Sequence, residues 1–117
     1  MELQKYPIFL FWKIGKKVYE KQNCYENVIQ KYSDYYSYYY GNSFLFTREN
    51  IHLMKRFYLN FPVFFKRMEE LNWRQYQLLL LIPDRNERYF YFCLVLLFHS
   101  NYEETYMFIV NNYYVRI

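Results

Sequence analysis

The sequence predicts an all-α fold, a compact single domain (residues 1–117) of about six helices that contains a helix-turn-helix unit over about residues 25–60. Apolar residues recur every three or four positions, whereas strict alternation is absent and β-branched residues are few. Residues that typically cap helices precede most of the apolar segments. A chain of 117 residues, of which 54% are hydrophobic, is long enough for one core and too short for two.

The first two helices are predicted from the apolar spacing on either side of Asn23. One covers Ile8 to Gln22, and the other, capped by Asn23, covers Tyr25 to Tyr40. Gly15 lies inside the first helix, where a glycine costs up to ~1 kcal/mol relative to alanine. We therefore expect Gly15 to let another helix come close. The candidates for the buried sides of these helices are Phe9, Trp12, Val18, Tyr19, Val28, Ile29 and Tyr32.

The third helix, residues 48–60, has one apolar side and one basic side. Thr47 is predicted to cap it after a turn at Gly41 to Ser43, with Asn50 placed for a weak capping box. Phe46 and Ile51 have the spacing of a hydrophobic staple. The apolar arc holds Ile51, Met54, Phe57, Tyr58 and Phe61. The opposite arc holds Arg48, His52, Lys55 and Arg56, with Leu59 as its one apolar member.

The C-terminal half is predicted to be helical as well. Pro62 starts a helix that leads to Met68, because proline is favoured at the first helical position. Three more helices are predicted: Trp73 to Ile82, capped by Asn72 and broken at Pro83-Asp84; Arg85 to Phe98; and Tyr102 to Val115, where Asn101 with Glu104 three residues on resembles a cap. The first of these is expected to bury nearly all of its Leu78 to Ile82 run, and Tyr89 to Phe92 is the one segment where a strand is an alternative.

The basic residues are concentrated in the N-terminal part of the chain. Residues 1–67 carry 11 Lys or Arg against 5 Asp or Glu, a balance of +6, and residues 68–117 carry 4 against 6, a balance of −2. This asymmetry favours a phosphate-facing surface, although a charged helix face that is merely solvated is the alternative. In the DNA-binding hypothesis, the residues that enter or flank the major groove are Arg48, His52, Lys55 and Arg56. The residues that hold phosphates are Lys13, Lys16 and Lys17.

Aromatic residues make up 26% of the chain, and a small protein must leave some of them at its surface. The tyrosine-rich run at 32–40 is interpreted as a helix whose buried and half-buried positions are tyrosines, with a base-stacking surface as the alternative. A second functional hypothesis is therefore a protein–protein adaptor or a homodimerisation module. Its predicted anchors are Trp73, Tyr76, Tyr35 and Tyr39.

Signals for other functional classes are missing from the sequence. Cys24 and Cys93 have no short-range pattern and indicate reduced thiols in a cytoplasmic protein. The longest apolar run, Tyr89 to Phe98, is too short to cross a bilayer. His52 and His99 stand at no metal-ligand spacing, and the chain has no phosphate-binding loop or nucleophile elbow. We therefore expect no enzyme active site, cofactor, metal, small-molecule substrate or membrane contact.

Several short motifs follow one another along nearly the whole chain. In order they are Trp12-x-Ile14-Gly15-Lys16-x-x-x-Glu20-x-Gln22, Tyr25-x-x-Val28-Ile29, Phe46-Thr47-x-x-Asn50-Ile51-x-x-Met54-x-x-Phe57-Tyr58, Phe61-Pro62, Leu71-Asn72-Trp73-x-x-Tyr76-x-x-Leu79-Leu80, Arg88-x-Phe90-Tyr91 and Tyr114-x-Arg116. This order resembles the YhcG-type N-terminal domain. Leu45 departs from it, since the family usually has glycine there.

The resemblance implies a fold and a function. Full-length members of that family carry a C-terminal domain resembling PD-(D/E)XK nucleases, and their N-terminal domain is described as a winged-helix-like, DNA-binding module. It therefore implies a targeting or regulatory DNA-binding domain, with double-stranded DNA as partner and with no catalytic residue in this chain. A small regulator from a mobile element, or one half of a split enzyme whose partner is a nuclease-domain protein, would fit this implication.

Overall fold

The computed structural model describes residues 6–22 and 27–116, with side chains as far as Val115. The helices in these ranges are α1 (Ile8–Lys21), α2 (Val28–Tyr40), α3 (Arg48–Asn60), a 3₁₀ helix (Lys66–Glu70), α4 (Trp73–Leu80), α5 (Arg85–Phe98), α6 (Tyr102–Val110) and α7 (Tyr113–Arg116). The described residues contain no strand, and therefore no β-hairpin wing. The all-α prediction is confirmed, and the chain divides into two compact units, Met1–Phe64 and Phe65–Ile117.

The first unit is organised by the packing of α1 on α3, which is more extensive than the packing of α2 on either of them. Gly15 lies at the point where the two helices cross. A Cβ atom at Gly15 would overlap the backbone carbonyl group of Met54 and lie 3.0 Å from the backbone nitrogen of Lys55. The predicted close approach at Gly15 is thus confirmed, and the partner is α3.

The sides that α1 and α2 bury differ in part from the prediction. Trp12 and Val18 are buried, as expected, and the indole Nε1 of Trp12 donates a hydrogen bond to the carbonyl oxygen of Phe61 at 2.7 Å. Phe9 and Tyr19 are each 42% exposed, because they lie at the edges of the α1–α3 contact. On α2, Val28 is buried and Ile29 and Tyr32 are half-buried. The predicted cap, Asn23, lies outside the described residues.

The helix that was expected to start at Pro62 does not form. The chain remains irregular as far as Phe65, whose φ of −137° and ψ of 159° are extended, and only the short 3₁₀ helix follows. The ring of Phe64 lies 5.1 Å from that of Phe9 and 5.7 Å from that of Trp12, centroid to centroid. These contacts hold the segment against α1, so tertiary packing overrides the local preference of proline for a helix start.

The second unit contains the other four α-helices. The predicted caps Asn72 and Asn101 are confirmed: Asn72 forms a capping box with Gln75 at α4, and Asn101 forms one with Glu104 at α6. The amide Nε2 of Gln75 also donates to the carbonyl oxygen of Ser100 at 2.7 Å, which ties the start of α4 to the start of α6.

Two expectations for the second unit are wrong. Leu81 is 73% exposed, because α4 ends at Leu80 and the chain turns before Pro83. The last predicted helix is divided into α6 and α7 at Asn112, whose φ of 54° is left-handed. Asparagine adopts this conformation more readily than most residues, so it ends the helix there.

The close approach of the two helices at Gly15 predicts that a larger side chain there destabilises the fold. Gly15→Ala should lower the free energy of unfolding by about 2 kcal/mol or more, although alanine is the better helix former, because the new methyl group meets backbone atoms that no rotamer change can move away. Urea unfolding followed by circular dichroism would measure this. Glu20→Ala, an exposed position on the same helix, is the matched control and should shift stability by less than about 0.5 kcal/mol. A Gly15→Ala variant as stable as the parent would contradict the crossing.

Candidate nucleic-acid interface

The exposed face of α3 carries three of its four predicted DNA-contacting residues. Ile51, Met54 and Phe57 are fully buried on the opposite side of the helix. The exposed side presents Arg48, His52 and Arg56, each four positions from the next, together with Glu49 and Leu59. The amphipathic arcs predicted from the sequence are therefore confirmed as arcs of burial and exposure.

Lys55 differs from the other three because it is half-buried. Its backbone nitrogen faces Gly15 at the crossing, so Lys55 lies at the border between the exposed face and the α1 contact. Arg48, His52 and Lys55 make no ion pair with another described residue. The guanidinium group of Arg48 is therefore exposed and is not engaged in an ion pair with another described residue.

The first turn of α3 is held by its own cap and by the loop before it. The hydroxyl Oγ1 of Thr47 accepts a hydrogen bond from the backbone N–H of Asn50 at 3.1 Å, which confirms the predicted cap. The side-chain amide of Asn50 donates to the carbonyl oxygen of Leu45 at 2.9 Å, and so fastens the loop to the helix. Leu45, the departure from the family pattern, is 1% exposed and contributes to the core.

The α2 helix fixes the residue that precedes this cap. Hydroxyl groups of Ser33 and Ser37 both donate to the carbonyl oxygen of Phe46, at 2.7 and 3.3 Å. The ring of Phe46 is fully buried and lies 5.3 Å from that of Tyr40 and 5.8 Å from that of Tyr36. Arg48 therefore projects from a helix start whose position is set by hydrogen bonds on one side and ring packing on the other.

The three lysines predicted to hold phosphates lie on two different sides of α1. The ammonium group of Lys16 lies 5.5 Å from the centre of the Trp12 ring, in a cation–π contact. Lys13 and Lys17 instead line a groove between α1 and α2, together with Lys21. Lys21 was missed as a site residue, although its spacing of four from Lys17 could have identified it.

The groove between α1 and α2, which we call the lysine–tyrosine groove, has a volume of about 640 Å³. Its α1 wall is formed by Leu10, Lys13, Ile14, Lys17, Glu20 and Lys21. Its α2 wall consists of Tyr32, Tyr35, Tyr36, Tyr39 and Tyr40. Burial and then the neighbouring phenols raise the pKa of Tyr36 to about 12, so this hydroxyl group stays neutral at physiological pH.

The predicted interface anchors separate into two groups. Trp73 and Tyr76 are both 0% exposed, and the hydroxyl group of Tyr76 donates to the carbonyl oxygen of Met68 at 2.6 Å. Their prediction as surface anchors is wrong: the helical spacing that places them together turns both into the core. Tyr35 and Tyr39 are 56% and 65% exposed on α2 and remain accessible.

The charge of the molecule is confined to one unit. Residues 1–64 contain nine Lys or Arg against five Asp or Glu, a balance of +4, and residues 65–117 contain six against six. The first unit, which contains both α3 and the lysine–tyrosine groove, therefore carries the net positive charge of the chain.

The described residues contain neither a metal-binding cluster nor a helix that could span a membrane. No group of three or more His, Cys, Asp or Glu side chains in residues 6–22 and 27–116 is arranged to hold a metal ion. Over the same residues, no helix has the length and apolar character that crossing a bilayer requires.

Comparison with known proteins gives one family. The model of the DUF1016 N-terminal domain matches residues 2–116, across both units, which confirms the resemblance found in the sequence motifs. No curated protein and no solved structure matches the chain. The matched family is an N-terminal domain, and no catalytic domain is matched in this chain.

The Thr47 cap makes a prediction about the start of α3. Thr47→Ala should lower the free energy of unfolding by about 1 kcal/mol, because the backbone N–H of Asn50 loses its acceptor. Thr47→Ser, which keeps a hydroxyl group, is the matched control and should stay close to the parent. Urea unfolding of the three proteins would measure the difference, and equal stability of the alanine and serine variants would argue against the cap.

Proposed function

The chain belongs to the DUF1016 N-terminal domain family, and we propose that it is a DNA-binding module, with a targeting or regulatory role, that contacts duplex DNA through the exposed face of α3. The observation that carries this proposal is the row of Arg48, His52 and Arg56 on a helix whose other side is fully buried. A helix with basic side chains along its exposed side can present several hydrogen-bond donors to one DNA groove.

The dimensions of this face suit a major groove. An α-helix with its side chains is ~10–12 Å across. The major groove of B-DNA is ~12 Å wide and therefore admits one α-helix lying along it. Arg48 is the first residue of α3, and in helix-turn-helix proteins the N-terminal residues of the recognition helix reach the base edges. Arginine can donate two parallel hydrogen bonds to guanine, which supports a role for Arg48 in base contact.

In this proposal, the chain itself is not catalytic. It would bring a bound DNA site to a nuclease-domain protein, as the resemblance to full-length relatives implies. The concentration of positive charge in residues 1–64 supports a first unit that contacts DNA and a second, neutral unit that is free to contact a protein partner.

Self-association is the second candidate function. Tyr35 and Tyr39 are exposed on α2 with their rings parallel, within 5° of each other, and exposed aromatic pairs are typical of interfaces. Light scattering over a range of concentrations tests this candidate. A homodimer that Tyr35→Ala combined with Tyr39→Ala converts to a monomer would support it, and a strict monomer at high micromolar concentration would rule it out.

Charge reversal tests the proposed DNA contact. Arg48→Glu combined with Arg56→Glu should weaken binding to a random duplex at least tenfold, because two contacts to the polyanion become repulsive. The slope of log affinity against log salt should also fall, by ~0.9 for each of the two arginines that contacts a phosphate of the random duplex. A fluorescence anisotropy titration at two salt concentrations measures both quantities.

The matched control alters the net charge of the chain by the same amount, through two residues of the second unit. Lys66 and Arg85 are exposed in the second unit, and Arg85 is the first residue of α5 just as Arg48 is the first of α3. Lys66→Glu combined with Arg85→Glu should therefore change affinity by no more than about twofold. If this control weakens duplex binding as much as the α3 variant does, the attraction depends on net charge alone and the α3 proposal fails.

A further inference from the structure

We propose that the lysine–tyrosine groove binds single-stranded nucleic acid, at a site separate from the exposed face of α3. The two walls of the groove offer different chemistry, cations from α1 and aromatic rings from α2. A single strand with unpaired bases is the ligand that can use both walls, since it carries a regular row of phosphates and a row of flat rings.

The lysines of the α1 wall are regularly spaced along the helix. Lys13, Lys17 and Lys21 are spaced by four residues, which is about 6 Å along the helix for each step. None of the three makes an ion pair with another described residue. Glu20 lies among them and reduces the charge of the wall to +2. A row of unpaired ammonium groups on a rigid helix is suited to follow a phosphate backbone.

The α2 wall presents its rings already oriented. Tyr35 and Tyr39 are parallel to within 5°, with centroids 5.9 Å apart, and both are more than half exposed. Each is held by a neighbour that meets it edge-on: Tyr36 at 4.9 Å from Tyr35, and Tyr40 at 4.8 Å from Tyr39. Tyr36 is 7% exposed, so the ring that supports Tyr35 is itself held in the core. Bases can stack on Tyr35 and Tyr39 with little loss of side-chain freedom.

Other occupants would use only part of the groove. A duplex hides the faces of its bases and would meet the tyrosines with phosphates alone. An acidic peptide would satisfy the lysines but offers no row of flat rings to the α2 wall. A second copy of this chain would bring its own positively charged first unit against these lysines. Charge complementarity together with stacking therefore favours the single strand.

This inference does not depend on the proposed duplex contact, because the two surfaces share no residue. Arg48 and Arg56 lie on α3, whereas the groove is lined only by residues of α1 and α2. The prediction for duplex binding by α3 and the prediction for single-strand binding by the groove can therefore be contradicted independently of each other.

The test uses the full chain and two fluorescent probes of equal charge, a 12-residue oligodeoxythymidine and an abasic strand with the same number of phosphates. Tyr35→Ala combined with Tyr39→Ala should weaken binding of the oligodeoxythymidine at least tenfold, because two stacking contacts are lost. Tyr35→Phe combined with Tyr39→Phe keeps both rings and should stay within about twofold of the parent. Both positions are exposed, so the variants should fold, and circular dichroism checks this.

The contribution of the lysines is measured separately, from the salt dependence of the affinity. Lys13→Gln combined with Lys17→Gln should lower the slope of log affinity against log salt by about 1.4, at ~0.7 per phosphate of a single strand. The parent should bind the abasic strand at least tenfold more weakly than the oligodeoxythymidine, and Arg48→Glu combined with Arg56→Glu should leave the preference for bases unchanged.

Several results would overturn the proposal. Equal binding of the abasic strand would show that the rings contribute nothing. Undiminished binding by the alanine pair would show the same, and so would competition by poly-glutamate that is as strong, at equal charge, as competition by unlabelled oligodeoxythymidine. If the alanine pair loses self-association and keeps its affinity for the single strand, the groove is an interface between copies of this chain.

Discussion

The two central helices of the first unit touch through their backbones, because Gly15 presents no side chain to the carbonyl group of Met54. A contact of this kind sets the distance between α1 and α3 more narrowly than interleaved side chains would. The same contact buries the side of α3 that faces α1. Since α1 occupies the side that holds Met54, the side that holds Arg48 and Arg56 is left to solvent. The absent methyl group at Gly15 thus sets how closely α1 approaches the apolar side of α3, opposite the basic face.

The ends of the helices are fixed by polar side chains that reach carbonyl oxygens in other segments. Ser33 on α2 holds the carbonyl oxygen of Phe46 before α3, and Trp12 on α1 holds that of Phe61 after it. Buried carbonyl groups at helix ends need such donors, because water cannot reach them. These bonds give α3 defined limits in a chain that has only two glycines with which to end helices.

The sequence by itself determined the local features. Helical spacing gave α5 its limits, and the residue types at Thr47, Asn72 and Asn101 identified three caps that the structure contains. It also separated the buried from the exposed arc of α3. Each of these depends on interactions within about four residues, so a short window of sequence contains the necessary information. Many of the motif positions shared with the family, such as Trp12 and Tyr76, belong to the core.

Only the tertiary structure decided which helices are in contact and which of their side chains are buried. Ring contacts with α1 keep the segment after Pro62 out of a helix, and core packing hides Trp73, whose size alone suggested an exposed anchor. The lysines of α1 were grouped by sequence, yet Lys16 lies over Trp12 while Lys13 lines the groove that α2 closes. These outcomes depend on which helix packs against which side. Such contacts join residues far apart in the chain, and the periodicity of one helix carries no information about the identity of its neighbour.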